Sequence, residues 1–365
     1  MKIGIDCRMW NQTGIGRHIR CIVDELSRMD SANEYVLFFL KEDINSVELP
    51  DNFRKVCANI RWHTFSEQLI LPFIYLRERL DILHVPHFNV PVLYPKRFVA
   101  TIHDLTILRV KTGRATTLPY PIYFLKRLAF KLNLISTVKR ACKIFTVSDF
   151  VRKDIQNTFG ISSDKIILTP NAVDPNFVIR SDEEVLSRYG IKRPYIFYVG
   201  NAHPHKNLET LISAFEIISH RIEDLELVLA GGKRFFYERL EKECSNKKVK
   251  FIGFVEDVDL PALYHFSEAF VNPSMYEGFG IQILEAFACG TKVICSNTTS
   301  LPEVGADVAY YFDPRDKEDM AMRIIQALDD KDTSRRERGF GIVKTYSWES
   351  SARKILGTYE NCHSL

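Results

Sequence analysis

The chain has 365 residues and a formal net charge of +3, with 46% hydrophobic and 26% charged residues. A length of this order exceeds what one hydrophobic core usually serves, so we expect two domains. The composition is that of a globular protein and excludes a disordered chain. The small net charge argues against a nucleic-acid binder, which would carry a stronger basic excess.

The eight cysteines are scattered and form neither a CxxC pair nor a Cys/His cluster at zinc-ligand spacing. They are expected to be free thiols in a reducing compartment. A strand-like segment begins at Met1 without a preceding signal peptide, and no apolar run reaches the ~20 residues that span a bilayer. We therefore expect a cytoplasmic protein, with membrane contact limited to peripheral association at the inner face.

Short β-branched or aromatic runs alternate with longer amphipathic stretches along the chain. The first series of predicted strands is Lys2–Asp6, Tyr35–Leu40, Ile60–Phe65, Ile82–Val85, Phe98–His103 and Lys143–Ser148. The second series is Tyr195–Gly200, Leu225–Ala230, Val249–Gly253, Ala269–Asn272, Lys292–Ser296 and Ala309–Phe312. Helical periodicity fills the intervals, as in Ile15–Met29 and Leu208–Ile218. This alternation predicts two doubly wound, mostly parallel α/β sheets.

A linker-like segment, Thr169–Pro175, separates the two series, since it carries two prolines, an Asn and an Asp in seven residues. We predict an N-terminal Rossmann-like domain over residues 1–172 and a second one over residues 173–346. A C-terminal helix within residues 347–365 is expected to pack back on the first domain. Two such domains facing across a cleft would present helix N-termini, which suit anionic ligands.

The segment NPSMYEGFGIQILEA follows an apolar strand and enters a helix. Gly278 and Gly280, on either side of Phe279, let backbone amides approach a ligand. Glu277 precedes the helix and Glu285 lies within it, and eight helical residues would span about 12 Å. That length matches a nucleotide-sugar from ribose to hexose. The alternative is a solvated surface acid, which the apolar neighbours of Glu285 disfavour.

The segment GNAHPHKN lies between the first strand and first helix of the second half. Asn207 is predicted to cap that helix. Lys206 stands where the helix dipole repels a cation, a conflict that a bound diphosphate would remove. The alternative is an ordinary surface lysine.

Two further segments concern the first half. His103 ends an apolar strand, which would place it on the ligand-binding side of a parallel sheet. The alternative is a structural histidine. The Gly14–Gly16 loop is not a dinucleotide fingerprint, because Ile19 stands where a third glycine is required. It is either a phosphate- or acceptor-facing loop, to which Arg17 adds a cation, or a plain connection.

The charge distribution is locally uneven. Residues 105–148 contain nine Lys or Arg residues and no Asp or Glu. Within them, Tyr120–Leu132 is predicted to be a basic amphipathic helix that binds an anionic membrane surface or a lipid-phosphate acceptor. The alternative is a surface helix packed on the first domain.

A set of segments in order along nearly the whole chain resembles glycosyltransferase family 4, whose members are retaining enzymes with the GT-B fold. The segments are TGIGRHI, ATIHDL, FTVSDFVRKDI, TPNAVD, YVGNAHPHKNLETLISAF, YEGFGIQILEAFACGTKVI and SLPEVGADVAYYFDP. The stretches DCRMWNQTGIGRH and HPHKNL are similar to those of mannosyl- or rhamnosyl-type enzymes of surface polysaccharide synthesis.

The resemblance implies a role for each site residue. Glu277 and His103 would contact the donor sugar, Glu285 the ribose hydroxyls, and Lys206 the diphosphate. The family often has an arginine directly after the glycine of the second segment, and this chain has Asn201 there. Gly278, Phe279 and Gly280 complete the implied donor site.

The resemblance also implies the reaction. A hexose, with mannose from GDP-mannose favoured, would pass to a glycan or polyprenyl-linked glycan without a metal or other cofactor. UDP- or dTDP-sugars remain alternative donors, and a nucleotide-sugar epimerase of the same architecture or a non-catalytic sugar- or polyanion-binding protein remain alternative functions. The failed glycine fingerprint argues against an NAD-dependent oxidoreductase.

Overall fold

The computed structural model describes residues 1–110, 120–232 and 235–364, which form two compact units. Within these ranges, the first unit contains residues 1–110, 120–171 and 347–364, and the second contains residues 172–232 and 235–346. Each unit is built on one parallel sheet with helices, so the predicted α/β class is confirmed.

The first unit contains a seven-stranded sheet in the order β3-β2-β1-β4-β5-β6-β7. Its strands are β1 (Lys2–Asp6), β2 (Glu34–Phe39), β3 (Phe53–Cys57), β4 (Ile82–Val85), β5 (Phe98–Ile102), β6 (Ile144–Thr146) and β7 (Ile166–Leu168). All neighbouring strands run parallel. Every residue of β4 and β5 is buried, as expected for strands covered on both faces.

The helices of this unit follow their strands. They are α1 (Thr13–Met29), α2 (Phe65–Leu69), α3 (Leu71–Arg77), α4 (Thr106–Arg109), α5 (Tyr120–Arg140) and α6 (Asp149–Phe159). Local sequence explains the bounds of α6. The Ser148 hydroxyl accepts a hydrogen bond from the Val151 amide at its start, and Gly160 ends it in the left-handed conformation with φ 63°.

The predicted strand Ile60–Phe65 is wrong, and β3 takes its place in the sheet. Side chains satisfy the backbone of this segment instead. Arg8 donates to the Ile60 carbonyl (2.8 Å), and the His63 amide donates to Glu67 (2.7 Å). The edge strand β3 was missed because its exposed or half-buried charges interrupt the apolar pattern.

A buried ionic network holds this segment at the carboxyl end of β1. Arg8, with 2% of its surface exposed, donates to both carboxylate oxygens of Asp6 (2.9 and 2.7 Å) and to Glu67 (2.8 Å). Tyr75 donates to Asp6 (2.9 Å), and Asn89 donates to Glu67. One guanidinium therefore joins β1 to α2, and Asp6 extends the connection to α3.

The second unit contains a six-stranded parallel sheet in the order β10-β9-β8-β11-β12-β13. Its strands are β8 (Tyr195–Val199), β9 (Glu226–Ala230), β10 (Val249–Gly253), β11 (Ala269–Asn272), β12 (Val293–Ser296) and β13 (Tyr310–Phe312). All six overlap the predicted second series. The order reverses between β8 and β11, which makes their carboxyl ends the switch point where α/β sheets bind ligands.

The helices of the second unit are α7 (Glu184–Arg188), α8 (Leu208–Ser219), α9 (Phe235–Glu243), α10 (Leu260–Phe266), α11 (Ile281–Ala288), α12 (Leu301–Gly305), α13 (Lys317–Asp329) and α14 (Ser334–Lys344). The predicted helix Leu208–Ile218 corresponds to α8. Its buried residues, including Leu211 and Phe215, belong to the same core cluster as Ile324 of α13.

The final helix, α15 (Trp348–Ser364), belongs to the first unit. Ser351 donates to the Pro170 carbonyl (2.7 Å), and the Tyr359 hydroxyl is 2.6 Å from Nδ1 of His84 on β4. The predicted return of the C-terminal helix to the first domain is therefore confirmed.

We predict that Arg8→Met lowers the free energy of unfolding by about 3–5 kcal/mol, because Asp6 and Glu67 would keep buried charge without a partner. Urea unfolding measures this loss. Arg28→Met removes an exposed arginine that pairs with Asp24 and should cost less than about 1 kcal/mol. Equal small losses for both variants would contradict a structural role for the network.

Candidate functional site

Residues that the sequence predicts to bind the sugar donor lie on two loops of the second unit. One loop follows β8 and carries Asn201 and Lys206, and the other follows β11 and carries Glu277. The Met275 amide donates to the His205 carbonyl (2.8 Å), which ties the loops together. Because β8 and β11 are adjacent parallel strands, both loops lie at the same sheet edge.

Lys206 and Glu277 form an ion pair between these loops. The Lys206 ammonium lies 2.5 Å from a carboxylate oxygen of Glu277, and only 12% and 13% of the two side chains are exposed. The Ser274 hydroxyl donates to the same carboxylate oxygen (2.9 Å). A surface lysine, the alternative considered for Lys206, is inconsistent with this burial.

The electrostatics of the pair follow from burial and charge. Burial by itself raises the pKa of Glu277, but the positive charge and hydrogen bond of Lys206 outweigh it, so the pKa lies below the ordinary value. Glu277 is therefore ionised at neutral pH. A negative and a positive charge stand within one hydrogen bond of each other in a largely dry site.

Asn207 does not cap α8 with its side chain. It takes the left-handed conformation, and its amide group donates to the carbonyls of Pro273 (3.1 Å) and Pro314 (2.7 Å). It thereby fixes three loops at one edge of the sheet. Lys206 accordingly lies in a short 3-10 turn, Pro204–Lys206, ahead of the helix.

The glycines before α11 allow a tight entry into that helix. Gly280 has φ 88°, and a Cβ there would lie 2.6 Å from Cδ2 of Leu301. Phe279 is buried against Tyr346, and Gly278 is also buried. Since α11 begins at Ile281, the expectation of eight helical residues between the two acids is wrong.

Glu285 lies inside the second unit with 2% of its surface exposed. Its carboxylate accepts a hydrogen bond from the Tyr264 hydroxyl (2.8 Å). The solvated alternative is therefore excluded, and a contact with ribose hydroxyls stays a prediction. Asn201 is exposed, with its side chain accepting from the His203 amide (3.2 Å).

In the first unit, the predicted Gly14–Gly16 loop is wrong, because α1 already begins at Thr13. Gly14, Gly16 and Arg17 occupy the first turns of this helix. Gly16 permits close packing, since a Cβ there would lie 2.3 Å from the Trp10 carbonyl oxygen. Thr13–Met29 has no acidic residue in its first turn to offset the helix dipole.

His103 follows β5 and is held in one tautomer. Its Nε2 lies 3.0 Å from the Pro86 carbonyl oxygen, which accepts only, so Nε2 carries the proton. Burial lowers the pKa of His103 to about 4, which leaves Nδ1 as an acceptor at neutral pH. This histidine can therefore receive a hydrogen bond from a substrate hydroxyl through Nδ1.

Sequence reasoning missed a cluster of histidines around His103. The His18 and His103 rings lie 4.8 Å apart, edge to face, and the His63 and His87 rings lie 5.6 Å apart. Burial lowers the pKa of His18 to about 3 and of His63 to about 4, and those of His84 and His87 well below the ordinary value. No sequence spacing signals the cluster, because the rings come from separate elements.

Across residues 1–110, 120–232 and 235–364, no three His, Cys, Asp or Glu side chains converge in a way that could hold a metal ion. Metal independence stays a prediction.

We predict that the free energy of unfolding falls as the pH drops from about 6.5 towards 4. In that pH range the histidines of the unfolded chain bind protons, whereas five histidines of the native state stay neutral: His18, His63, His84, His87 and His103. Each fully buried histidine costs roughly 1.4 kcal/mol per pH unit. Urea unfolding between pH 7.5 and 5 measures the slope.

The matched variants for this pH effect are His87→Phe and His363→Asn. Nδ1 of His87 is buried without a hydrogen bond, so the first variant should remove about one histidine's share of the slope. His363 is exposed, so the second should leave the slope unchanged. A flat profile between pH 7 and 5 would contradict the neutral cluster.

Comparison with known proteins places this geometry in a family. Residues 13–177 match the model for Glycosyltransferase Family 4, and residues 182–340 match that for Glycosyl transferases group 1. The chain is 34% identical to O-antigen chain mannosyltransferase B of Escherichia coli, over 95% of this chain and 96% of that protein.

Solved structures share the fold at low identity. Sucrose-phosphate synthase from Thermosynechococcus elongatus aligns with a TM-score of 0.77 and 19% identity, covering 100% of this chain and 99% of that one. HepE of Anabaena, in complex with UDP-glucose, aligns with a TM-score of 0.76 and 15% identity, covering 99% and 100%. With the full-length relative and the two family models, these matches show that the chain belongs to glycosyltransferase family 4 and is a glycosyltransferase with the GT-B fold.

Proposed function

We propose that this glycosyltransferase moves mannose from GDP-mannose to a growing surface polysaccharide or lipid-linked glycan, with retention of configuration and without a metal. The observation that carries the proposal is the Lys206–Glu277 pair at the switch point of the second sheet. The full-length similarity to an O-antigen mannosyltransferase supports the sugar and the acceptor class.

In this proposal, binding of the donor breaks the ion pair, and each of its two side chains then contacts the donor. The diphosphate binds Lys206, which neutralises the negative charge that develops on the leaving group. Glu277 is then free to accept hydrogen bonds from sugar hydroxyls. Without Lys206, a diphosphate beside the ionised Glu277 would meet like-charge repulsion in a dry site, so the lysine is needed for binding as well as for departure.

The other residues act by position. Backbone amides around Gly278 and Gly280 donate to the phosphates, and Glu285 contacts the ribose. His103 accepts a hydrogen bond from a substrate hydroxyl through Nδ1, the nitrogen that its bond to Pro86 leaves unprotonated. The leaving phosphate takes the acceptor's proton, so the protein contributes orientation and electrostatic stabilisation.

We predict that GDP-mannose binds more tightly than GDP, and GDP more tightly than GMP, because each addition gains contacts with Glu277 and Lys206 respectively. Isothermal titration with and without EDTA measures the three affinities, and UDP with UDP-glucose provides the alternative donor arm. An EDTA-insensitive preference for the guanine series supports the proposal. A preference for the uracil series would move the donor assignment, as the UDP-glucose complex of HepE allows.

Variants separate the two contacts. Lys206→Met should weaken GDP binding by about 10- to 100-fold and so abolish the preference for GDP over GMP. Glu277→Gln should weaken GDP-mannose binding by the same factor and so abolish the preference for GDP-mannose over GDP. Glu277→Gln should also lower turnover by about 10²–10³-fold. Lys317→Met and Glu318→Gln alter an exposed ion pair of the same unit and should change nothing. Equal effects of Lys206→Met on GMP and GDP would contradict the diphosphate role.

We also propose that the first unit binds an anionic membrane surface, where a lipid-linked acceptor resides. No helix within the described ranges is long and apolar enough to cross a membrane. The helix α5 nevertheless exposes apolar side chains between basic ones: Ile122, Phe124, Leu125, Leu128 and Leu132, with Lys126 and Lys131. The side chains of Tyr120 and Pro121 lie outside the described residues.

Other segments of the first unit also expose apolar side chains. Phe65 and Phe73, on α2 and α3, are 91% and 71% exposed. Gln68 accepts from the Val92 amide (3.0 Å), and Arg140 of α5 donates to the Val92 carbonyl (2.8 Å). Exposed apolar residues from three segments therefore lie on connected elements, as interfacial binding requires.

We predict that the protein sediments with vesicles containing anionic lipid and much less with neutral vesicles. Replacing both Leu125 and Leu128 with Glu should abolish sedimentation, because it removes buried apolar area and adds repulsion. Met322→Glu, at an exposed position of the second unit, is the control. Sedimentation that ignores lipid charge, or that survives the double replacement, would refute membrane binding.

A further inference from the structure

Two histidines of the first unit, His87 and His63, lie beyond His103 at the carboxyl edge of its sheet. The strands β4 and β5 are adjacent and parallel, so the segments that follow them lie at the same edge. Nε2 of His103 is 3.0 Å from the carbonyl oxygen of Pro86, the residue directly before His87. The His87 and His63 ring centroids are 5.6 Å apart. His87 is therefore next to His103, and His63 is next to His87.

One buried carboxylate holds the segments that carry these two rings. Glu67 has no exposed surface. One of its oxygens accepts a hydrogen bond from the His63 amide (2.7 Å) and another from the side chain of Asn89, two residues after His87. The other oxygen accepts from Arg8 (2.8 Å). The positions of both histidine segments are thus fixed through a single side chain.

The backbone of His63 is constrained. Its φ is 63°, in the left-handed region that glycine adopts readily and that other residues rarely enter. The hydrogen bond from its amide to Glu67 holds it there. Such conformations are found at functional sites, where the surrounding structure enforces them. Glycine would suit this backbone better, so the imidazole ring is the feature of residue 63 that requires an explanation.

Each of the two rings has a nitrogen without a use in the fold. Among the residues that the structure describes, Nδ1 of His63 and Nδ1 of His87 are buried and have no hydrogen-bond partner. Both residues are only half-buried, and rotation about the Cβ–Cγ bond carries Nδ1 to the opposite edge of the ring. Burial lowers the pKa of His63 to about 4 and that of His87 well below its ordinary value. At neutral pH each ring therefore offers one donor and one acceptor, the pair that a sugar hydroxyl matches.

Aromatic side chains surround the two imidazoles. The ring centroids of His63 and Phe130 on α5 are 4.6 Å apart, and those of His87 and Phe88 are 4.2 Å apart. The ammonium group of Lys126, also on α5, lies 5.6 Å from the Phe130 centroid. A few polar groups among aromatic ones are typical of a site for a small organic ligand. This site lies between His103 and the helix that carries the proposed membrane-binding surface.

We propose that His63 and His87 form a subsite that binds the hydroxyl groups of a neutral acceptor glycan, with Glu67 as their positioning residue. The inference rests on the proposed transfer to a lipid-linked glycan. The end of the acceptor that receives the sugar lies at His103, and the rest of the glycan passes His87 and His63 towards α5. The ligand is uncharged because the two neutral rings provide hydrogen bonds and no net charge.

The test observes the ring nitrogens of the full-length protein by NMR, with histidine labelled isotopically and the signals assigned from His63→Phe and His87→Phe. The probes are the methyl glycosides of mannose, glucose, galactose and N-acetylglucosamine, each titrated without a nucleotide. We expect at least one glycoside to move the Nδ1 signals of His63 and His87, because each nitrogen gains a hydrogen bond. The signals of His363, which is exposed on α15, should not move. Silence of both rings towards all four glycosides would overturn the proposal.

Variants with matched backbones separate the ring from the strained conformation. His63→Gly and His63→Asn both suit a positive φ, but only Asn keeps a donor and an acceptor. Read from the signals of His87, glycoside binding should weaken about tenfold in His63→Gly and less than about threefold in His63→Asn. Arg79 is exposed and also has a positive φ, of 53°, so Arg79→Gly is the control and should bind as the wild type does. Unchanged binding in His63→Gly, or equal weakening in Arg79→Gly, would contradict the subsite.

Separate titrations with GDP-mannose and UDP-glucose distinguish this inference from the proposed function. If the glycoside moves both ring signals and only UDP-glucose binds, the subsite stands and the donor assignment changes. If GDP-mannose binds while the signals of His63 and His87 ignore every glycoside, the donor assignment stands and the subsite is refuted.

Discussion

The arrangement of the loops at the carboxyl edge of the second unit's sheet depends on the ion pair between Lys206 and Glu277. Each side chain is almost buried, and a buried charge without a partner is strongly destabilising. The pair therefore fixes the loop after β8 against the loop after β11, and Asn207 adds the loop after β13. The lysine's positive charge is thereby already in position at the sheet edge where an anionic ligand would bind.

The first unit holds its buried polar groups in a different way. Its buried Arg8 pairs with two acids, Asp6 and Glu67, at the end of β1. The groups around His103 are imidazoles that burial keeps neutral. The second unit thus holds a charged pair at the edge of its sheet, and the first holds neutral imidazoles.

Sequence reasoning succeeded where a local pattern determines structure. Continuous apolar runs predicted the central strands β1, β4 and β5 and all of the second sheet, and placed Lys206 and Glu277 in segments that follow strands. It failed where contacts with side chains far away in the sequence determine the local structure. The segment from Ile60 to Phe65 has strand-like residues, yet Arg8 and Glu67 satisfy its backbone.

The glycines of α1 show the same limit. Gly14 and Gly16 disfavour a helix locally, yet α1 begins at Thr13, and a Cβ at Gly16 would have no room beside the Trp10 carbonyl. The histidine cluster could not be predicted either, since its members are brought together by β4, β5 and α1. A sequence pattern reports which face of an element is apolar, and it does not report which polar groups meet at the end of a sheet.

The C-terminal helix shows how far apart in sequence those meeting groups lie. His84 on β4 is buried, and its partner Tyr359 comes 275 residues later. Without that hydroxyl, Nδ1 of His84 would be a buried polar atom lacking a partner, which costs about 1–3 kcal/mol. The packing of the first unit is therefore completed only by a helix that follows the whole second unit in sequence. Such non-local contacts slow folding, and they make the integrity of the first unit depend on the end of the chain.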